Sequence, residues 1–300
     1  MKRDTMVLGR LQVGEELPTR GELLRWSAVD HTTGQVVEIH QPSSPVWVRP
    51  EAEEIFIAAK RAVVSDGALQ APIVWGEHGG RPLAAYPASN NWSCTQLSAP
   101  QISALAAWLA PAVQASGATL GGRLAPEDLA LERDGTVVLR PNGVVRKRSL
   151  AVPDPYLAPG GGSPAERALY GLGVVLFEAA TGTAPFSART IQDLERQQQS
   201  PRPPSSVRPD LPAELDALIL SLLSPQPAER TAAIRALPEP LPVTLSAAPI
   251  TAPPKMHRPQ VSTPAPPPKT GARRDLPKAD WQVVVDPSAL PASIRRTFSS

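Results

Sequence analysis

Residues 156–186 read YLAPGGGSPAERALYGLGVVLFEAATGTAPF, and this stretch carries the most informative pattern in the chain. From residue 165 to residue 181 it is apolar nearly all round, which predicts a buried α-helix. Gly182 follows at once, and glycine is the usual residue at the left-handed position that ends a helix. The three glycines ahead of this segment predict a turn. We therefore expect a central buried helix with a turn in front of it.

The chain on the N-terminal side of residue 98 reads as short strands with one helix. A turn at Gly34 precedes a β-branched strand at 36–40, and two further strands at 73–75 and 83–86 form a second hairpin. Pro50 and the acidic residues after it open a helix over residues 49–63, because proline and acids suit a first helical turn.

Beyond residue 98 the hydrophobic period becomes helical. We predict one long helix ending near Gly117, a small hairpin turning at the pair Asp134 and Gly135, and two helices over 211–223 and 225–237. The fold class is therefore α+β. We expect a β-rich lobe with one helix (residues 1–88), a mainly α-helical lobe (89–238) and a tail (239–300).

The tail differs from the rest of the chain in composition. Fourteen of the 37 prolines lie between Pro238 and Pro291, and residues 241–300 carry eight Lys/Arg against three Asp. Proline-rich segments of this kind favour extended, solvated conformations. We expect a largely disordered, basic tail with one short apolar patch, WQVVV, at residues 281–285.

These local sequences, in this order, resemble the bacterial eukaryotic-type (Hanks-type) Ser/Thr protein kinases. Residues 156–186 are similar to the family's Y-x-A-P-E followed by D-x-Y-S-L-G-V-x-L-Y-E-L-L-T-G-x-P-F. LAPEDLAL at 124–131 lies where the family has L-K-P-x-N-I-L, and TGQVVEIH at 33–40 resembles T-G-x-x-V-A-I-K. The resemblance implies a bilobal kinase-like fold over roughly residues 10–237.

The same resemblance implies that the phosphate-binding loop is lost. The family's three loop glycines fall on Pro18, Arg20 and Leu23, and only Gly21 lies nearby, out of register. Glycine lets backbone N–H groups approach the phosphates closely, whereas proline has no N–H to donate.

The strand lysine that contacts phosphate in the family falls on His40, and we interpret His40 as an ordinary strand histidine. An imidazole is shorter than a lysine side chain and mostly neutral at pH 7. The helix glutamate that would pair with the lysine falls on Glu54, with Glu51 and Glu53 as alternatives.

The catalytic positions have changed as well. The aspartate that accepts the substrate proton is replaced by Arg123, and arginine cannot act as a base at pH 7. Asp128 replaces the metal-binding asparagine, and D-F-G, whose aspartate holds Mg²⁺, falls on Pro141, Asn142 and Gly143.

One structural position has drifted in the same way. The glutamate of A-P-E falls on Gly160, although its arginine partner remains as Arg230. We expect Arg230 to be balanced by another acid or by solvent, because a buried charge needs compensation.

Two functions stay open at this point. The first is a catalytically inactive pseudokinase that regulates or scaffolds through protein contacts. The alternative is an ATP-binding Ser/Thr kinase-like phosphotransferase with weak activity, using Asp128 as a metal ligand. No cofactor is expected, although a hinge at Tyr86, Pro87 and Ala88 leaves ATP binding without Mg²⁺ open.

Other classes lack support in the sequence. Cys94 is the only cysteine and the four histidines are scattered, so no metal-ligand spacing exists, and no basic aromatic stripe favours nucleic acid. No apolar window is long enough for a membrane span, and no signal peptide is present, so we expect a cytoplasmic protein. The expected partners are proteins, with an active kinase or a signalling or cell-envelope protein as candidates. They would bind the second lobe or the Pro-rich tail.

Overall fold

The computed structural model describes residues 1–20, 23–43, 67–92, 96–140 and 153–245. These residues lie in one compact unit, Met1–Pro253, and a second unit, Pro254–Ser300, lies outside the described residues. The predicted helix at 49–63 with its three glutamates, Cys94, the positions of the D-F-G motif and the apolar patch at 281–285 also lie outside them.

The first part of the chain forms a six-stranded antiparallel sheet in the order β1-β2-β3-β4-β6-β5. The strands are β1 (Met6–Val7), β2 (Leu11–Arg20), β3 (Leu23–Asp30), β4 (Val36–Pro42), β5 (Val74–His78) and β6 (Arg81–Pro87). Both predicted hairpins are confirmed, and Gly34 adopts the positive φ of 70° that the first of them requires.

Side chains alternate between the two faces of this sheet. On one face an apolar core forms from strands β1 to β6, with Trp26, Val37 and Ile39 at its centre. Glu38 and His40 project from the opposite face of β4, and both are nevertheless buried. The second face of the sheet is therefore covered by protein rather than by water.

A three-stranded sheet joins this part to the helical part. Its strands are β7 (Asn90–Asn91), β8 (Leu129–Leu131) and β9 (Val137–Leu139), in the order β7-β8-β9. The β8–β9 hairpin encloses Asp134 and Gly135, as predicted. Leu139 also exchanges backbone hydrogen bonds with Ala68 and Gln70, so β9 is paired on its other edge too.

The helical part contains five α-helices among the described residues. They are α1 (Ala99–Ala115), α2 (Pro164–Thr181), α3 (Ile191–Gln199), α4 (Ala213–Leu222) and α5 (Pro227–Arg235). Four of them agree with the predicted helices. The sequence did not predict α3, because only two of its nine residues, Ile191 and Leu194, are apolar. The described helices include none long and apolar enough to cross a bilayer.

Helix α2 organises this part of the fold. Its first turn is closed by a capping box, in which the Ser163 hydroxyl accepts from the Glu166 N–H and the Glu166 carboxylate accepts from the Ser163 N–H. It ends at Gly182, whose φ of 73° confirms the predicted C-cap. At Gly171 a Cβ would lie 2.3 Å from the Leu124 carbonyl oxygen. The helix therefore presses directly on the loop that precedes β8.

The chain stays packed beyond residue 238. The Val137 N–H donates to the Val243 carbonyl and the Leu245 N–H to the Gly135 carbonyl, so residues 243–245 lie antiparallel to the start of β9. Val243 and Leu245 are buried in the second core. The predicted boundary between residues 238 and 239 thus falls inside the packed structure, because two apolar residues of the Pro-rich segment return to the β8–β9 hairpin.

Candidate functional site

The loop between α1 and β8 carries the residues at the catalytic positions. It follows α1 from Ser116, passes through Gly121 and Gly122, both at positive φ, and continues through a 3₁₀ turn, Pro126–Asp128, into β8. Helix α2 holds the loop in place, because Gly171 lies directly against the Leu124 backbone. The loop at the expected catalytic position is thus held against α2, and its side chains decide what it can do.

Arg123 occupies the position of the catalytic base and forms ion pairs with two carboxylates. Its Nη1 donates to Glu127 Oε1 at 2.8 Å, and its Nε donates to Asp154 Oδ2 at 2.9 Å. The guanidinium also lies over the ring of Tyr156, 5.2 Å from the centroid. Burial by itself lowers the pKa of Arg123, but the Glu127 and Asp154 carboxylates outweigh it and raise the pKa above its ordinary value. Arg123 is therefore a permanently charged structural residue here.

Asp128, at the position of the metal-binding asparagine, is buried and acts as a cap. Its Oδ2 accepts a hydrogen bond from the Ala125 N–H at 3.0 Å. Its carbonyl accepts from the Arg140 N–H, which connects the loop to the end of β9. The adjacent motif position, Pro141, lies outside the described residues, and a proline side chain has no oxygen to bind a metal. In the part of the chain that the structure describes, no three His, Cys, Asp or Glu residues gather as metal ligands.

The region of the lost glycine loop is a closely paired hairpin. Strands β2 and β3 pair as far as Arg20 and Leu23, although the register shifts twice, between Val13 and Glu16 and between Leu17 and Arg20. The Pro18 carbonyl accepts from Arg25 Nη1 at 3.3 Å. Gly21 lies outside the described residues.

His40 belongs to a buried polar group that we call the cleft cluster: Arg25, Glu38, His40, Tyr86 and Arg140. Glu38 Oε2 accepts from Arg25 Nη2 at 2.7 Å and lies 3.2 Å from His40 Nε2. The His40 and Tyr86 rings are 5.1 Å apart, and the Arg140 guanidinium lies 5.2 Å from the centre of the Tyr86 ring. The cluster lies on the face of the sheet opposite the apolar core, where Arg140 of the second lobe contacts it.

Protonation states in the cluster follow from burial and pairing. Burial lowers the pKa of His40 to about 4, although the Glu38 carboxylate acts in the opposite direction. Burial raises the pKa of Glu38, but the hydrogen bond with His40 and the charge of Arg25 outweigh it, so the net shift is downward. Burial raises the pKa of Tyr86 to about 12. At pH 7 the cluster therefore contains a neutral His40 and an ionised Glu38 between two arginines.

The predicted hinge, Tyr86, Pro87 and Ala88, lies at the end of β6 and makes its hydrogen bonds within the protein. The Pro87 carbonyl accepts from Arg140 Nη2 at 2.9 Å, and the Ala88 N–H donates to the Val36 carbonyl at 3.3 Å. The N–H of the next residue, Ser89, donates to Glu38 Oε1 at 3.2 Å. The residues present do not fit an adenine nucleotide in this position, because its hydrogen-bonding partners are already used.

Arg230 is compensated by a nearby acid and by main-chain groups. The Glu166 carboxylate supplies a negative charge close to it, as expected, whereas solvent does not reach the guanidinium. The guanidinium is buried and donates to two main-chain carbonyls, those of Glu166 at 2.8 Å and Ser224 at 2.6 Å. Burial lowers the pKa of Arg230, and the nearby Glu166 carboxylate acts in the opposite direction.

Sequence reasoning identified His40 and Arg123 but missed three residues that determine their environment. Arg25, Glu38 and Arg140 are far apart in the chain, and only the folded sheet brings them together. Glu38 does stand at the alanine of T-G-x-x-V-A-I-K, between Val37 and Ile39. A charged residue between two core-facing strand residues ordinarily faces solvent, so the burial of Glu38 could not be predicted from this pattern.

A wider groove lies next to the hinge. It has a volume of about 640 Å³ and is lined by Gly34, Gln35, Val36, Pro87, Ala88, Glu132, Arg133 and Asp134. None of the residues at the catalytic positions that the structure describes lines it. The groove offers main-chain groups and the side chains of Glu132, Arg133 and Asp134, and no lysine is among its lining residues.

Comparison with known proteins supports the fold. No protein-family model and no curated protein matches the chain. Among solved structures, the Mycobacterium tuberculosis PknI kinase domain matches with a TM-score of 0.61 at 16% identity, over 79% of this chain and 99% of that chain. A second crystal structure of that domain gives 0.63 at 16% identity, over 79% and 97%. Identity this low shows the fold alone. The chain therefore has the fold of a bacterial Hanks-type Ser/Thr protein kinase domain.

Proposed function

We propose that this protein is a pseudokinase, a kinase-like domain that acts through protein contacts and does not transfer phosphate. The observation that carries the proposal is the environment of Arg123. Phosphoryl transfer by this fold needs a carboxylate at that position, together with phosphate-binding and metal-binding groups. Here a buried arginine is held there by Glu127 and Asp154, two carboxylates that could otherwise have substituted for the lost base.

The contact role rests on what the fold retains. The capped helix α2, both hydrophobic cores and the β8–β9 hairpin remain well packed, although the catalytic positions have changed. A folded domain that keeps its packing but lacks catalytic groups can still bind other proteins. We propose protein partners, reached through the helical lobe or the Pro-rich tail, and a cytoplasmic location. Pro-rich segments bind aromatic grooves of other proteins in extended form.

The second candidate, a weak phosphotransferase that uses Asp128 and Glu127 as metal ligands, has less support. Glu127 is paired with Arg123, and the Asp128 carboxylate caps the Ala125 N–H. Each would have to leave its partner to bind a metal ion.

A transfer assay tests the proposal. The protein is incubated with γ-labelled ATP and Mg²⁺ or Mn²⁺, and label is counted in the protein and in a Ser/Thr peptide. We expect none above that of a heat-denatured sample. Metal-dependent incorporation that Asp128→Ala abolishes would contradict the proposal and support the second candidate.

A further inference from the structure

The segment that follows β6 presents two main-chain groups of complementary type. The Pro87 carbonyl is an acceptor, and the Ser89 N–H, two residues further on, is a donor. The Watson–Crick edge of adenine offers the complement, an amino donor beside a ring-nitrogen acceptor, and proteins read bases through such edges. The backbone thus keeps the hydrogen-bonding pattern of an adenine subsite.

Two side chains of the cleft cluster occupy both groups. Arg140 donates from Nη2 to the Pro87 carbonyl, as an adenine amino group would, at 2.9 Å. Glu38 accepts from the Ser89 N–H at 3.2 Å, as an adenine ring nitrogen would. The same arginine donates from Nη1 to the Ser89 hydroxyl at 2.8 Å. The Arg140 side chain thus satisfies the Pro87 carbonyl, and the Glu38 side chain satisfies the Ser89 N–H.

The two side chains are themselves fixed. Glu38 is paired with Arg25 at 2.7 Å and lies 3.9 Å from Arg140 Nη1. Arg140 also donates from Nε to Gln70 and covers the Tyr86 ring. A ligand would have to separate these buried charges, and a buried charge that loses its partner is strongly destabilising. Binding energy from one adenine ring would oppose that cost.

We propose that Glu38 and Arg140 form an internal substitute for adenine, which closes the cleft between the lobes to adenine nucleotides. The inference rests on the proposed function, because it treats this cleft as the former nucleotide site, and it adds the reason why the site is closed. It also makes a positive prediction: once the charged side chains are removed, the backbone pattern becomes available and the cleft accepts adenosine.

The wild-type protein provides the first test. Isothermal titration with adenosine, and with ATP in the presence and absence of Mg²⁺, should show no saturable binding. Hydrogen exchange followed by mass spectrometry should show a protected peptide over residues 87–90 without any ligand, because Glu38 and the fold hold the Ser89 N–H. Saturable adenosine binding, or exchange at the rate of an unprotected amide, would overturn the proposal.

The second test uses the triple variant Arg25→Leu, Glu38→Ala, Arg140→Ala, which removes the three charges together and leaves none of them unpaired. We expect adenosine affinity at least about tenfold above any residual wild-type binding, and adenosine should slow exchange at residues 87–90. The matched control, Glu77→Ala with Arg133→Ala, removes one exposed acid and one exposed base and should behave as wild type. A triple variant that folds, as judged by circular dichroism, but does not bind adenosine would also overturn the proposal.

Failure here is distinguishable from failure of the proposed function. Wild-type protein that binds adenosine yet transfers no phosphate would refute the closed cleft and leave the pseudokinase assignment in place. If the triple variant does not fold, the exchange and titration results on the wild-type protein still decide the question.

Discussion

Arg123 lies between Glu127 and Asp154, and all three side chains are largely buried. Removing an arginine from such a group leaves two carboxylates facing each other without a counter-charge. The loss is then larger than the value of either ion pair, because the remaining charges stay desolvated. Arg123 is therefore best understood through stability rather than through catalysis.

Arg123→Ala is expected to lower the free energy of unfolding by about 3–5 kcal/mol. Denaturation in urea, with the slope compared between proteins, measures this change. Arg133→Ala, which removes an exposed arginine, serves as the control and should change it by less than about 0.5 kcal/mol. Equal and small effects of the two substitutions would mean that Arg123 is not the centre of a buried charge group.

The lowered pKa of His40 makes the free energy of unfolding depend on pH. Its pKa is about 4 in the folded protein and about 6.5 when unfolded, so the stability it contributes is present above pH 6.5 and is lost as the pH falls toward 4. Between pH 7 and pH 5 this amounts to a loss on the order of 2 kcal/mol. Among the residues that the structure describes, the charged and titratable neighbours of His40 are Arg25, Glu38, Tyr86 and Arg140.

Chemical denaturation at pH 7, 6 and 5 measures this dependence. His40→Gln should show a shallower loss over the same range, because glutamine does not titrate. The lowered pKa of Glu38 acts in the same direction, but below the ordinary carboxylate pKa, so it does not interfere above pH 5. Identical pH profiles for the two proteins would contradict a neutral, buried His40.

At the scale of elements, residues 243–245 show that the chain after the last helix belongs to the fold. Val243→Asp should lower the free energy of unfolding by about 2–4 kcal/mol, because it places a charge in the core beside β9. The neighbouring Leu241 is 70% exposed and provides a matched control, since Leu241→Asp should be close to neutral. Thermal melting of both variants distinguishes them, and similar melting temperatures would mean that the segment is not packed.

Helix α2 allows a second comparison. Alanine is ordinarily the better helix former than glycine by about 1 kcal/mol. At Gly171, however, the added Cβ would lie 2.3 Å from the Leu124 carbonyl oxygen, so Gly171→Ala should destabilise by more than about 2 kcal/mol. At Gly161 a Cβ meets nothing within 4 Å, and Gly161→Ala is the control. A stabilising Gly171→Ala in urea denaturation would contradict the close approach of α2 to the loop.

The same elements show what could be predicted from the sequence. Hairpins and the apolar helices were predictable, because their turn residues and hydrophobic periods are local. The helix Ile191–Gln199 and the return of residues 243–245 were not, because their signals are weak or depend on a distant strand. Arg123 was recognised from its motif. Its partner Asp154, 31 residues away, is brought to it by the folded loop, so the ion pair could not be predicted.

At the scale of the whole molecule, each change at a catalytic position replaces or occupies a group that kinase chemistry uses. The base position carries a paired arginine, the predicted hinge is saturated by Glu38 and Arg140, and the strand position of the lysine carries a neutral His40. The packing that supports a kinase fold is retained around them. A protein of this kind should keep the kinase fold while lacking the base, the lysine and the open hinge that kinase chemistry uses.

Single-turnover kinetics test this central claim most directly. The protein is held in excess over labelled ATP with Mg²⁺, so that even one slow turnover per molecule is detected, and ADP formation is followed over hours. We predict a rate equal to that of ATP in buffer alone. Metal-dependent conversion of the ATP to ADP above that rate, lost in Asp128→Ala, would contradict the account.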